Sequence, residues 1–66
     1  MKIGKIIRNL RTENKMTQED LAKKLFVSQD TISLWELDKS LPDIPNLIKL
    51  TKIFQVSADE ILGLDE

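Results

Sequence analysis

The chain of 66 residues contains no cysteine, no histidine and no tyrosine, and only two glycines and two prolines. Without cysteine or histidine, the chain can form neither disulfide bonds nor the usual zinc sites. It also lacks the two side chains that often serve as nucleophile or general base in catalysis. The glycines, Gly4 and Gly63, stand far apart, so no glycine-rich phosphate loop is present. Adjacent acidic residues diverge on a helix and cannot easily share an ion. We therefore expect no enzyme activity, no cofactor, no metal and no small-molecule ligand.

Long apolar runs are also missing, and none approaches the roughly 20 residues that a membrane-spanning helix needs. The N-terminal segment is basic and partly apolar, but it carries charges throughout and has no small-residue cleavage site, which argues against a secretion signal. We expect a soluble cytoplasmic protein. A chain of this length makes a single domain, residues 1–66, and buries only about 60% of its unfolded surface.

The spacing of apolar residues and of helix-start signals predicts an all-α chain, and no strand-like alternation of useful length appears. Five short helices around one core are expected. The first three run over residues 3–14, 18–25 and 29–37. Asp43 or Ile44 caps the fourth, and Ser57 and Glu60 form a capping-box pattern for a last short helix that ends at Gly63. The expected core residues recur at helical spacing on the first four helices. They are Ile3, Ile7, Leu10, Leu21, Ala22, Leu25, Ile32, Trp35, Leu47, Leu50 and Phe54.

Residues 17–36 are the most informative stretch, because they contain two short helices joined by a tight turn. Thr17 and Ser28 can cap these helices, since a side-chain oxygen accepts from backbone N–H groups that have no partner inside the helix. Ile32 and Trp35 pack the back of the second of them, which leaves a small, mostly polar front. A short helix with a packed back and such a front suits insertion into the DNA major groove.

This stretch resembles the helix-turn-helix of the phage Cro and repressor family, the Cro/C1-type or Xre-like regulators. The residues that match the family pattern are Gln18, Leu21, Ala22, Ser28, Ile32, Ser33, Trp35 and Glu36. The match extends over almost the whole chain through Ile3, Ile7, Leu10, Arg11, Lys39, Pro42, Leu47, Leu50, Val56 and Leu62. The resemblance implies a compact five-helix bundle of the lambda repressor-like DNA-binding type. It also implies a bacterial or phage transcriptional regulator that binds double-stranded DNA as a homodimer. Of the two kinds of regulator, we expect a repressor.

The resemblance also implies which residues meet DNA. Base contacts are expected from Gln29, Asp30, Ser33 and Leu34. A glutamine matches N6 and N7 of adenine, a carboxylate accepts from N4 of cytosine or strengthens the helix N-terminus, and a leucine contacts a thymine methyl group or is partly buried. Phosphate contacts, which fix the register, are expected from Thr17, Gln18, Ser28, Thr31 and Lys39. Arg11 and Glu36 are expected to form a structural ion pair between the first and third helices.

The chain has ten basic and eleven acidic residues and a net charge of −1, which is less positive charge than DNA-binding proteins usually carry. The distribution of this charge is uneven. Residues 1–24 hold seven basic and three acidic residues, whereas residues 25–66 hold three basic and eight acidic residues. This polarity is compatible with one face that meets DNA and an acidic face that points away. The acidic total favours an alternative, a protein–protein module such as an antitoxin or adaptor that uses the same fold.

Two positions depart from the family pattern, in which glycine is common. At Phe26, in the turn, a positive φ would cost a bulky residue roughly 1–2 kcal/mol, so either the turn differs or the ring is buried in compensation. At Asp38 the change is mild, because aspartate tolerates the left-handed region. Three apolar residues off the expected core are possible dimer contacts, namely Ile44, Ile48 and Leu64.

Overall fold

The computed structural model describes residues 2–64, and these form five α-helices and no strand. The helices are α1 (Ile3–Glu13), α2 (Gln18–Leu25), α3 (Gln29–Glu36), α4 (Ile44–Phe54) and α5 (Ala58–Leu62). The prediction of an all-α, five-helix chain is confirmed. None of these helices has both the length and the apolar character that crossing a membrane requires.

Two predicted helix ends were one residue too long. Asn14 and Leu37 are the C-cap residues of α1 and α3, with ψ angles of 11° and 2°, respectively. Their N–H groups still bond to helix carbonyl groups, but their own backbone has left the helical conformation. Apolar spacing does not distinguish such a residue from the last residue of the helix.

Four of the five helices begin at a side-chain cap. At α2, the Thr17 hydroxyl accepts from Asp20 N–H at 3.0 Å and the Asp20 carboxylate accepts from Thr17 N–H at 2.9 Å, which completes a capping box. The other three caps, each accepting from the N–H group three residues later, are Ser28, Asp43 and Ser57. Of the two alternatives for α4, the cap is therefore Asp43, and Pro45 follows in the first turn, where a missing N–H has no cost.

Apolar side chains from all five helices form one core. Its buried members are Ile3, Ile7, Leu21, Ala22, Leu25, Ile32, Trp35, Leu50, Phe54 and Ile61. Two predicted members, Leu10 and Leu47, are only half-buried and pack against this core, because they lie in the last turn of α1 and the first turn of α4. Ile61 of α5 is fully buried although its short helix gave no spacing signal.

α1 and α3 approach each other closely at Gly4, near the start of α1. A Cβ atom there would lie 2.4 Å from the carbonyl oxygen of Trp35 and 2.7 Å from that of Glu36, so only glycine fits. Asp38 has a φ of 58°, and its Oδ1 accepts from the N–H of Gly4 at 2.9 Å. It thereby caps α1, whose own N-cap residue, Lys2, makes no side-chain bond. The start of α1 and the end of α3 are fixed to each other.

Candidate nucleic-acid interface

α3 is packed along its back and open along its front. On the back, Ile32 is fully buried and Trp35 is 3% exposed. The four predicted base-contacting residues share the front, with Gln29 and Asp30 exposed, Leu34 42% exposed and Ser33 half-buried. They form two rows at a spacing of four residues, Gln29 with Ser33 and Asp30 with Leu34. No pocket is found among residues 2–64, and the candidate site is this exposed helix face.

The first turns of α2 and α3 both present unpaired backbone donors. Among residues 2–64, the N–H groups of Gln18 and Glu19 in α2, and of Gln29 and Asp30 in α3, have no hydrogen-bond partner. The N–H groups of a helix N-terminus and the helix dipole attract anions. The two N-termini of the motif can therefore receive negatively charged oxygen atoms.

Three of the predicted phosphate-contacting residues carry hydroxyl groups that are partly used in capping. The Ser28 hydroxyl accepts from Thr31 N–H at 3.2 Å and lies 2.9 Å from the Thr31 hydroxyl. Since one proton makes the bond between these two hydroxyls, the other proton can be donated outwards. The Thr17 hydroxyl accepts from Asp20 N–H and likewise keeps its own proton. The motif thus has two hydroxyl donors to offer.

A hydrogen-bonded network joins α1, α2 and α3 behind the front. Arg11 donates to both Glu36 carboxylate oxygens, from Nε to Oε2 at 2.6 Å and from Nη2 to Oε1 at 3.1 Å. The expected pairing of these residues is therefore present. Arg11 Nη1 also donates to the Met16 carbonyl oxygen at 2.8 Å, and Gln18 Nε2 donates to Glu36 Oε1 at 3.0 Å. The sequence gave no signal for the bond from Gln18, whose second amide N–H and carbonyl oxygen can still reach outwards.

The charges of this network stabilise one another. Burial alone would raise the pKa of Glu36, but hydrogen bonds from Arg11 and Gln18 and the charges of Arg11 and Arg8 outweigh it, so the pKa lies below its ordinary value. The hydrogen bond to Glu36 in turn raises the pKa of Arg11. Both groups are charged at neutral pH, and much of the positive charge of Arg11 is neutralised locally.

The turn between α2 and α3 contradicts both alternatives considered for Phe26. Its backbone is left-handed, with φ 58° and ψ 42°, and its ring is 89% exposed. The position ends α2 as its C-cap, and its N–H bonds to the carbonyl oxygens of Ala22 and Lys23. The packing of α2 against α3 therefore imposes the left-handed turn on a bulky residue. Lys49 Nζ lies over the ring, 5.9 Å from its centroid.

The remaining predicted residues lie on the surface beyond α3. Lys39 is exposed, and its N–H donates to the Leu34 carbonyl oxygen at 2.9 Å, which holds it close to the end of α3. Ile44 and Ile48 lie one turn apart on α4 and are 66% and 49% exposed, and Leu64 is 61% exposed. All three possible dimer contacts are accessible.

Known proteins are similar to this chain in sequence and in fold. A family model described as Helix-turn-helix matches residues 7–61. The chain is 39% identical over 66 residues to the HTH-type transcriptional activator BcrR of Enterococcus faecalis, covering 100% of this chain and 32% of BcrR. It is 44% identical over 64 residues to the HTH-type transcriptional regulator DicA of Escherichia coli, covering 97% of this chain and 47% of DicA. The chain thus spans less than half the length of either relative.

A solved structure extends the likeness to three dimensions. The crystal structure of the P22 c2 repressor in complex with synthetic operator 9T matches with a TM-score of 0.86 and 36% identity, over 92% of both chains. Family pattern, relatives and fold agree over most of the chain. The chain belongs to the Cro/C1-type helix-turn-helix family.

Proposed function

We propose that this chain binds double-stranded DNA in a sequence-specific manner and acts as a transcriptional regulator of bacterial or phage type, with residues 1–66 as one DNA-binding domain. One observation carries the proposal: the front of α3 is exposed, and the first turns of both α2 and α3 have unpaired N–H groups. The P22 c2 repressor, solved in complex with synthetic operator 9T, has a similar fold and supports the assignment. α3 is then the recognition helix and enters the major groove.

The residues on the front of α3 recognise the bases. The Gln29 side chain offers a donor and an acceptor together, which matches N7 and N6 of adenine. The Asp30 carboxylate accepts from N4 of cytosine and repels bases that present acceptors there. Ser33 is small and half-buried, so it allows the helix to approach the base edges closely.

Phosphate contacts come from the two helix N-termini and from the segment after α3. Gln18 is the central one, because its amide is held by Glu36 and its backbone N–H is unpaired among residues 2–64. The other proposed phosphate contacts are the hydroxyl groups of Thr17, Ser28 and Thr31 and the ammonium group of the exposed Lys39. These contacts set the register, and base contacts set the sequence preference.

A homodimer on a two-fold symmetric operator completes the proposal. One domain offers a small interface, and two copies that read half-sites about 34 Å apart raise the affinity. The exposed aliphatic residues Ile44, Ile48 and Leu64 are the proposed contacts between copies. A dimer that covers a promoter represses it, and we propose repression for this reason. BcrR is named an activator, and the same binding to DNA is compatible with either outcome. We further propose that the protein acts in the cytoplasm and has no catalytic activity.

Selection from random duplexes with the purified protein tests this function. We expect one enriched half-site, and an affinity that falls steeply as salt rises. Gln29→Ala should then weaken binding to the enriched site by roughly 1–3 kcal/mol and relax its preference. Gln18→Ala should weaken all duplexes to a similar extent. If Gln29→Ala kept the selectivity of the unmodified protein, the base-contacting face proposed here would be wrong. Salt-independent binding of a protein partner would instead favour the antitoxin or adaptor alternative.

A further inference from the structure

The front of α3 carries no positive charge. Residues 28–37 include no lysine, arginine or histidine. The commonest specific contact in the major groove, an arginine or lysine to O6 and N7 of guanine, is therefore not available from this helix. If the proposed function holds, α3 reads its operator through an amide, a carboxylate, a small hydroxyl group and a leucine.

Leu34 is the apolar member of that set and is held in the reading position. Whereas Ile32 and Trp35 on the opposite side of the helix are buried, Leu34 is 42% exposed. Its carbonyl oxygen accepts from Lys39 N–H at 2.9 Å and from Ser40 N–H at 3.4 Å, so the backbone there is fixed by the end of the helix. It lies one turn beyond Asp30 on the same row. A leucine at this place makes no hydrogen bond to a base, and its contribution to recognition is the burial of apolar surface.

The major groove presents one apolar group, the C5-methyl group of thymine. We propose that Leu34 makes the protein prefer a 5-methylpyrimidine at one position of each half-site. In unmodified DNA this base is thymine. Because 5-methylcytosine carries its methyl group on the same ring carbon, cytosine methylation at that position strengthens binding. The inference rests on the proposed function and adds a response to the methylation state of the operator.

Single-methyl changes in the DNA test the inference without altering the protein. In the enriched duplex, each thymine is replaced in turn by deoxyuridine, which removes only the methyl group. One thymine in each half-site should show an affinity loss of about fourfold, the effect of one buried methyl group. With a C·G pair at that position, 5-methylcytosine should bind better than cytosine by a similar factor.

Two variants assign the effect to its residue. Leu34→Ala should bind the thymine and deoxyuridine duplexes equally, and it leaves the core intact because the side chain is half exposed. Leu41→Ala, which truncates another leucine, 60% exposed and outside α3, should keep the fourfold ratio. Equal binding of both duplexes by the unmodified protein, or a ratio that survives in Leu34→Ala, would overturn the inference and leave the proposed function intact. Failure to prefer any duplex would overturn both.

Discussion

The two ends of α3 are built in opposite ways. Its C-terminal end is locked, since Gly4 packs against two of its carbonyl oxygens and Glu36 is held by Arg11 and Gln18. Its N-terminal end is open, with exposed Gln29 and Asp30 side chains. A helix that is anchored at one end and packed along its back presents the other end in a fixed orientation without covering it. This division lets a protein of 66 residues keep a rigid yet accessible surface.

The residues on either side of α3 show the same difference between a locked end and an open end. Phe26 and Asp38 share a φ angle of 58°, in the region that bulky side chains rarely adopt. The Asp38 side chain uses this conformation to cap α1, whereas the Phe26 ring is 89% exposed. The backbone strain is therefore offset at the locked end and largely uncompensated at the open end.

The largest expected effect comes from disturbing the locked end. Gly4→Ala places a Cβ atom 2.4 Å from the Trp35 carbonyl oxygen, so α1 and α3 must move apart. We expect the free energy of unfolding to fall by about 3 kcal/mol, measured by urea denaturation. The matched control is Gly63→Ala, where a Cβ atom would lie 3.3 Å from the end of the Ile6 side chain and 3.9 Å from the Lys2 backbone nitrogen, so the main cost is the positive φ, about 1–2 kcal/mol. Equal losses in the two variants would contradict the close approach at Gly4.

A smaller effect is expected from neutralising the network at the same end. Glu36→Gln removes the charge that Arg11 faces, and we expect a loss of about 2 kcal/mol at neutral pH. The lowered pKa of Glu36 means that the native state favours its ionised form. Its contribution is therefore complete above the ordinary value of 4.5 and is lost as pH falls through the native pKa.

The check is a series of denaturation curves from pH 7 downwards. The stability difference between the unmodified protein and Glu36→Gln should shrink below about pH 4. Comparing the two proteins matters, because the bond from Thr17 N–H also lowers the pKa of Asp20, which both proteins retain. A difference that stays constant with pH would mean that the charge of Glu36 does not stabilise the fold.

The smallest effect has the opposite sign and belongs to the open end. Phe26→Gly relieves the left-handed strain and removes a ring that is 89% exposed together with its Lys49 contact, so we expect a gain of about 0.5–1 kcal/mol. Asp38→Gly relieves the same strain but removes the cap of Gly4, and should lower stability by about 1 kcal/mol. Thermal unfolding of both variants separates the two cases. A gain in both, or a loss in both, would show that the two flanking residues are equivalent.

Much of the fold follows from local signals in the sequence. Thr17, Ser28, Asp43 and Ser57 start their helices because each supplies an acceptor to unpaired N–H groups, and a cap of this kind needs no knowledge of the rest of the chain. The contacts of Gly4 could not be predicted in this way. They depend on how α1 crosses α3, which is a property of the packed core and not of the residues next to Gly4.

The candidate site was predictable in part. The front of α3 follows from the positions of Ile32 and Trp35, since the sides opposite a buried stripe are exposed. The bond between Gln18 and Glu36 was missed because it joins two helices whose angle the sequence does not give. Phe26 was misjudged for a related reason. The contact between α2 and α3 outweighs the preference of a single residue, and no local rule measures that balance.

The position of Trp35 gives the protein an internal optical probe. It is the only tryptophan, and it is 3% exposed on the side of α3 away from the proposed groove contacts. Its fluorescence will shift to longer wavelength when the domain unfolds and water reaches the indole ring. If α3 binds DNA through its front as proposed, an added oligonucleotide should leave the ring in the same apolar surroundings. Trp35 emission can therefore report loss of structure in the presence of DNA, without an added label.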